Sequence, residues 1–229
     1  MIEEFLYNKP FDKFTLPIDI QIETISYCNR SCDYCPVSLI PKEKMKLMPE
    51  ETFYKLIDEL DELGFTGTIG TAVLCEPLMD KRTIKLFAYA RNKLPGSKIH
   101  LATNGDLLTK KKIIELLDKS FSTIRITNHE KEFNDEKYLW LKNTKYYNRV
   151  TVLHMHKLDG FLDWAGVIKN KNFSKNIYYR KSCPYSVKTV IDYKGNVLLC
   201  CNDAYFARID DRSEKNNINK HKFYDIWKQ

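Results

Sequence analysis

The sequence predicts an α/β fold: a curved, partial (β/α) barrel of parallel strands, followed by a small β-hairpin and helix unit. Three observations predict it. Segments of apolar–polar alternation and segments of helical spacing take turns from residue 17 to about residue 157, the pattern of parallel βαβ units. That stretch holds five clear strands, too few for a closed eight-fold barrel. After about residue 170 the rhythm changes to two short strands flanked by cysteines. The expected division is therefore 1–170 for the barrel core and 171–229 for the C-terminal unit.

The elements follow in order. "PIDIQIETISY" alternates and reads as a strand running into a cysteine loop. In "PEETFYKLIDELDELG", Phe53, Leu56, Ile57, Leu60 and Leu63 share one helical face, between Pro49 and Gly64. "TGTIGTAVLC" is a small-residue strand, and "DKRTIKLFAYARNKLPG" a helix stopped by Pro95-Gly96. "KIHLATNG" is a strand with a turn. "TKKKIIELLDKSF" is a helix with Thr109 as N-cap. "STIRITN", "DEKYLWLKNTKYY" and "RVTVLHMHKL" predict strand, helix and strand, and a sixth strand is expected near Asn176 to Tyr179. "SCPYSVKTVIDYKGNVLLCCND" reads as a hairpin turning at Lys194-Gly195, and "KFYDIWKQ" as a short amphipathic helix.

Hydrophobic residues make up 43% of the chain, enough for a packed core and against disorder. The net charge of +7 comes from scattered lysines, which describes a solvated basic surface or one that attracts an anionic partner. No Lys/Arg block with interleaved aromatics supports a nucleic-acid groove. The acidic N-terminus lacks the signature of a signal peptide, and no apolar run is long enough to span a membrane. A cytoplasmic location is expected. There the seven cysteines are thiols or metal ligands rather than bridges.

In "ISYCNRSCDYCP", Cys28, Cys32 and Cys35 fall within eight residues. Thiolates are soft ligands for zinc or iron–sulfur clusters. A zinc knot requires a fourth ligand and usually pairs cysteines as C-x2-C. Three thiolates on a four-iron cluster instead leave one iron open. The loop, "CEP" and "TNG" all follow strands, where sites in such folds lie.

The run from Cys28 to Cys35 resembles the CxxxCxxC signature of the radical SAM superfamily, with an aromatic residue before the last cysteine. The resemblance implies a partial TIM-like barrel and a 4Fe-4S cluster on Cys28, Cys32 and Cys35. The open iron would bind S-adenosylmethionine (SAM), cleaved reductively to a 5′-deoxyadenosyl radical that abstracts a hydrogen atom. "LCEPLMD" resembles the family's GGEP segment, which gives Glu76 and Pro77 a place beside the SAM amino group and puts Cys75 where glycine is usual. "LATNGDLL" resembles the third-strand T-N-G stretch, with Thr103 and Asn104. Thr127 and Asn128 sit where the fourth strand supplies SAM contacts. A small reductant such as flavodoxin or ferredoxin is the implied electron donor.

Cys183, Gly195 and Cys200 resemble the opening of SPASM and Twitch domains, which hold auxiliary iron–sulfur clusters. Only 28 residues follow Cys201, without further cysteines, so a shortened Twitch-like unit is expected. Its ligands would be Cys183 and Cys200, plus Cys201 or a non-cysteine group; the alternative is that Cys200 and Cys201 are buried small hydrophobes. Cys75 and Cys201 are also candidate catalytic hydrogen donors, which would make the enzyme an epimerase; an electron-accepting cluster would make it an oxidoreductase. His154 and His156 share a strand face, as a satisfied polar pair or as substrate ligands. Only 27 residues precede Cys28, little room for a peptide-recognition domain. That favours a small polar substrate of sugar, aminocyclitol or nucleotide type over a peptide or protein. A non-catalytic iron–sulfur or zinc protein is the alternative from another class.

Overall fold

The computed structural model describes residues 16–40, 45–71, 73–130, 136–155, 164, 167–168, 187–199, 201–203, 205 and 214–228. Five strands run parallel, each beside its predecessor: β1 (Asp19–Ile22), β2 (Thr68–Thr71), β3 (Lys98–Thr103), β4 (Thr123–Asn128) and β5 (Val150–His154). Parallel neighbours need long crossovers. α1 (Glu50–Glu62), α2 (Thr83–Lys93) and α3 (Lys110–Lys119) provide three of them.

α1 buries Phe53, Leu56, Ile57 and Leu60, the face its spacing predicts. Phe53 meets Phe87 of α2 edge-on at 5.3 Å, and Phe87 meets Phe121 at 5.0 Å. These rings fill the layer between the helices and Ile20, Ile69, Ile99, Leu101 and Ile124 of the strands. α3 begins where Thr109 accepts a hydrogen bond from the Lys112 amide at 3.2 Å. Along β4, Ile124, Ile126 and Asn128 are buried, while Thr123, Arg125 and Thr127 take the opposite face. That period of two sends the odd positions to the barrel interior, where the site lies.

One difference from the sequence expectation has a local cause. The helix expected over "DEKYLWLKNTKYY" is one α turn, α4 (Glu136–Leu139), followed by 3₁₀ turns at Trp140–Asn143 and Tyr147–Arg149. It breaks at Thr144, which is extended. The Thr144 hydroxyl donates to the Leu141 carbonyl at 2.9 Å and accepts from the Tyr146 amide at 3.2 Å. Such side-chain bonds compete with the helix ladder.

The hairpin is present as β6 (Lys188–Ile191) and β7 (Val197–Leu198), with Gly195 at φ +88 in its turn. β6 lies parallel to β1, in register Asp19↔Lys188, so the sheet order is β5-β4-β3-β2-β1-β6-β7. Pairing there satisfies what would otherwise be an open edge of β1. The hairpin thus shares the core sheet. The 170/171 boundary and the strand expected near Asn176 lie outside the described residues.

The C-terminal helix α5 (Phe223–Trp227) is held to α1, where the Glu59 carboxylate accepts from the Phe223 amide at 2.7 Å. Among the described residues no helix is long and apolar enough to cross a membrane.

Candidate active site

The cysteine loop leaves β1 at the C-terminal end of the sheet and is strapped down at several points. Glu23, fully buried, accepts from the Leu74 amide at 2.6 Å. The Glu76 amide donates to the Tyr27 carbonyl at 2.9 Å, and Ile25 bridges to Leu47. The loop turns at Cys32–Cys35, where the Cys35 amide donates to the Cys32 carbonyl at 3.0 Å, and Pro36 opens a 3₁₀ turn.

These contacts place Cys28, Cys32 and Cys35 on the wall of one cavity of about 510 Å³. Glu76, Thr103, Asn104 and Thr127 line the same cavity, as do Cys75 and Cys201. The structure does not bring Pro77 or Asn128 to that wall. Pro77 starts a 3₁₀ turn, and its carbonyl accepts from the Thr83 hydroxyl at 2.6 Å. Asn128 points to the buried side; its carbonyl oxygen accepts from the Glu130 amide at 2.8 Å, and its amide nitrogen lies 3.3 Å from His154 Nδ1. His154 is therefore part of a polar pair behind the sheet. Cys183, Cys200 and His156 lie outside the described residues.

Glu76 is 2% exposed yet well provided for. Its carboxylate accepts from the Thr103 hydroxyl at 2.7 Å and from the amides of Asn104 at 2.8 Å and Leu78 at 3.1 Å. Burial pushes its pKa up against those three bonds. Gly105 takes φ +81 just beyond, and a Cβ there would sit 2.8 Å from Ile126. The "TNG" stretch is thus a turn that also aims one amide and one hydroxyl at Glu76.

A charged latch closes the top of the cavity. Arg30 donates through Nε and Nη2 to both oxygens of Asp106, at 2.8 and 2.6 Å, and through Nη1 to Glu130 at 2.7 Å. Asn29 donates to Asp106 at 2.7 Å, and Asn104 donates to Asn29 at 2.8 Å. The Arg30 guanidinium holds the Asp106 carboxyl below the usual carboxylate range. Beside it the Tyr34 ring stacks on His129 at 6.0 Å, its hydroxyl bonded to Nδ1, and Trp164 donates to the Tyr34 carbonyl at 3.2 Å. Sequence reasoning passed over Arg30, Asp106, His129 and Arg125. For Arg125 a signal existed: it is two residues before Thr127 and so shares its face.

The donor set fits an iron–sulfur cluster. Three thiols line one cavity, and thiolates are the soft ligands such a cluster takes. Burial pushes the Cys28 thiol up, and the Cys35 thiol up to about 12. Neither ionises alone at neutral pH, and coordination to iron would supply the missing stabilisation of the thiolate.

The sequence pattern of the Radical SAM superfamily matches residues 22–160. The S-adenosyl-L-methionine-dependent 2-deoxy-scyllo-inosamine dehydrogenase of Niallia circulans is 26% identical over 209 residues, covering 91% of this chain and 81% of that one. The crystal structure of BtrN in complex with AdoMet and 2-DOIA matches with TM-score 0.78 and 25% identity, over 93% of this chain and 83% of BtrN. SuiB of Streptococcus suis, solved bound to precursor peptide SuiA, shares the fold at 14% identity and TM-score 0.59, over 94% of this chain and 65% of SuiB.

Proposed function

The chain belongs to the radical SAM superfamily, and from that premise we propose that it dehydrogenates a small polyhydroxylated substrate of sugar or aminocyclitol type. The observation that carries this reading is the likeness to the inosamine dehydrogenase over 91% of the chain. When bound, the 4Fe-4S cluster and SAM supply a 5′-deoxyadenosyl radical.

The chain's own residues have these proposed roles. Cys28, Cys32 and Cys35 hold the cluster. Glu76 offers its remaining acceptor capacity to the SAM amino group, already oriented by Thr103 and the amides of Asn104 and Leu78. Thr127 and Asn104 line the cofactor end of the cavity. That chemistry would serve to take a hydrogen atom from a carbinol carbon of a substrate held in the cavity. Forming the carbonyl then releases the hydroxyl proton and one electron.

For that electron we assign an auxiliary iron–sulfur cluster on Cys183, Cys200 and Cys201, in a Twitch-like unit over 171–229. Supporting it, Cys201 lines the cavity and packs with Cys35 against Leu74, Val190 and Leu198. Flavodoxin or ferredoxin is the proposed reductant of the first cluster. Cys75 and Cys201, both thiols on the cavity wall, favour a second reading, in which one of them returns a hydrogen atom and the product is an epimer.

Two measurements test this. Anaerobic reconstitution is expected to give about eight irons per chain, falling to about four in a Cys28/Cys32/Cys35→Ala triple variant. About four falling to none removes the auxiliary cluster. In deuterated water an oxidation leaves no solvent deuterium on carbon, whereas one deuterium per turnover establishes the thiol donor instead.

A further inference from the structure

Arg125 lies on the inner face of β4, beside Ala102 of β3, and its side chain lines the cavity. It makes no hydrogen bond or ion pair with any described residue. The other formal charges on the wall are committed: Arg30 to Asp106 and Glu130, and Glu76 to its three donors. Arg125 also stands two residues before Thr127. At about 3.3 Å per residue it lies roughly 7 Å deeper than the row facing the cysteine loop. On the proposed reading the cofactor's methionine end, held beside the cysteines and Glu76, would belong to the upper row. The deeper row faces whatever fills the barrel below it.

The surroundings of Arg125 are positive. Lys98 shares the inner face of β3, and burial, with smaller contributions from the charges of Arg125 and Lys98, pushes the His100 imidazole down to about 4. His100 is therefore neutral at pH 7 and adds no further positive charge, its ring nitrogen lying 2.8 Å from the Thr123 hydroxyl. Asp19, on the same side of the sheet, is paired with Lys188 at 3.4 Å. A substrate entering this chamber strips water from a guanidinium that has no counter-charge among the described residues, which is costly unless the substrate itself pairs with it. A cationic amine at that point would add like-charge repulsion. The planar fork of arginine matches a phosphate or carboxylate bidentately.

We propose that Arg125 is a specificity-determining residue that receives an oxyanion of the substrate, so that the polyol this enzyme takes carries a phosphate or carboxylate. The inference rests on the cavity being the substrate chamber of the proposed dehydrogenase.

The test is calorimetric titration of the reconstituted, SAM-bound protein with inorganic phosphate at constant ionic strength, chloride serving as the control anion. Saturable phosphate binding is expected, at least tenfold weaker in Arg125→Gln and largely retained in Arg125→Lys. Iron content and melting temperature identify any variant that fails to fold, in which case the native protein and Arg125→Lys decide. Equal binding by the native protein and Arg125→Gln, or phosphate binding no better than chloride in the native protein, overturns the proposal. So does a tenfold loss of SAM affinity in Arg125→Gln with phosphate binding unchanged, because Arg125 then serves the cofactor's carboxylate. Failure of the dehydrogenase reading appears separately, as absence of 5′-deoxyadenosine from SAM under reducing conditions, and leaves the phosphate isotherms unaffected.

Discussion

At the top of the cavity, Arg30 spends three donors on Asp106 and Glu130, and Asn29 and Asn104 continue the chain of bonds. One layer down, Arg125 has no partner among the described residues, and Lys98 shares its field. The upper region ties the cysteine loop to the loops after β3 and β4 before any ligand arrives. The lower region is left for a ligand to complete. On the proposed reading the difference separates two tasks: a cofactor that is the same in every turnover would be met by a preorganised frame, whereas a substrate would supply part of its own binding charge.

The largest effect should come from breaking the frame. Arg30→Ala releases the cysteine loop from two neighbouring loops, and a misplacement of about 1 Å costs on the order of 100-fold in rate. That loss should appear in the rate of 5′-deoxyadenosine formation, and Arg30→Lys should not restore it, because an ammonium cannot fork across two carboxylates. Stability should fall by only about 1 kcal/mol, since the Arg30 and Asp106 side chains are 25% and 28% exposed. A large drop in melting temperature would make the latch a structural brace instead.

A middle-sized effect is expected at Glu76. Thr103→Val keeps the shape but deletes one of the three bonds to a buried carboxylate, worth about 1.5 kcal/mol. The SAM dissociation constant, measured by equilibrium dialysis, should rise about tenfold. Unchanged SAM binding would remove Glu76 from the cofactor site.

The smallest effect concerns the lower region. His100 has an ordinary pKa of 6.5 and a folded value of about 4. Between these, the unfolded chain takes up a proton that the folded chain refuses. The stability is therefore fully present above pH 6.5, begins to fall below it, and is lost as pH drops through 4. Urea unfolding at several pH values should show this slope in the native protein and a shallower one in His100→Gln. An unaltered slope would mean that His100 is not held below its ordinary value, whether by burial or by the charges of Arg125 and Lys98.

Most of the barrel was legible because its signals are local. The face of α1 carried by Phe53, Leu56, Ile57 and Leu60, the Thr109 cap and the alternation of β4 each lie within one short segment. The helix after β4 was misjudged because Thr144 bonds its own neighbours, a choice that hydrophobic spacing does not record. In the site, the cysteine spacing and the order of "CEP" and "TNG" pointed to the wall of one cavity, while Pro77 and Asn128 turned away from it. Thr127 and Asn128 are adjacent on one strand, and adjacent residues face opposite sides.

By itself, then, the sequence determined the five-strand alternation, the helix faces and a loop able to present three thiols, because periods of two and 3.6 are written into consecutive residues. Tertiary structure alone decided that β6 would close the edge of β1, with Lys188 beside Asp19. It also decided that Arg30 would find Asp106, 76 residues away, and that Arg125 would be left without a counter-charge among the described residues. Pairing between distant residues depends on which strands become neighbours, and that order is set by the packing of the whole sheet rather than by any one segment.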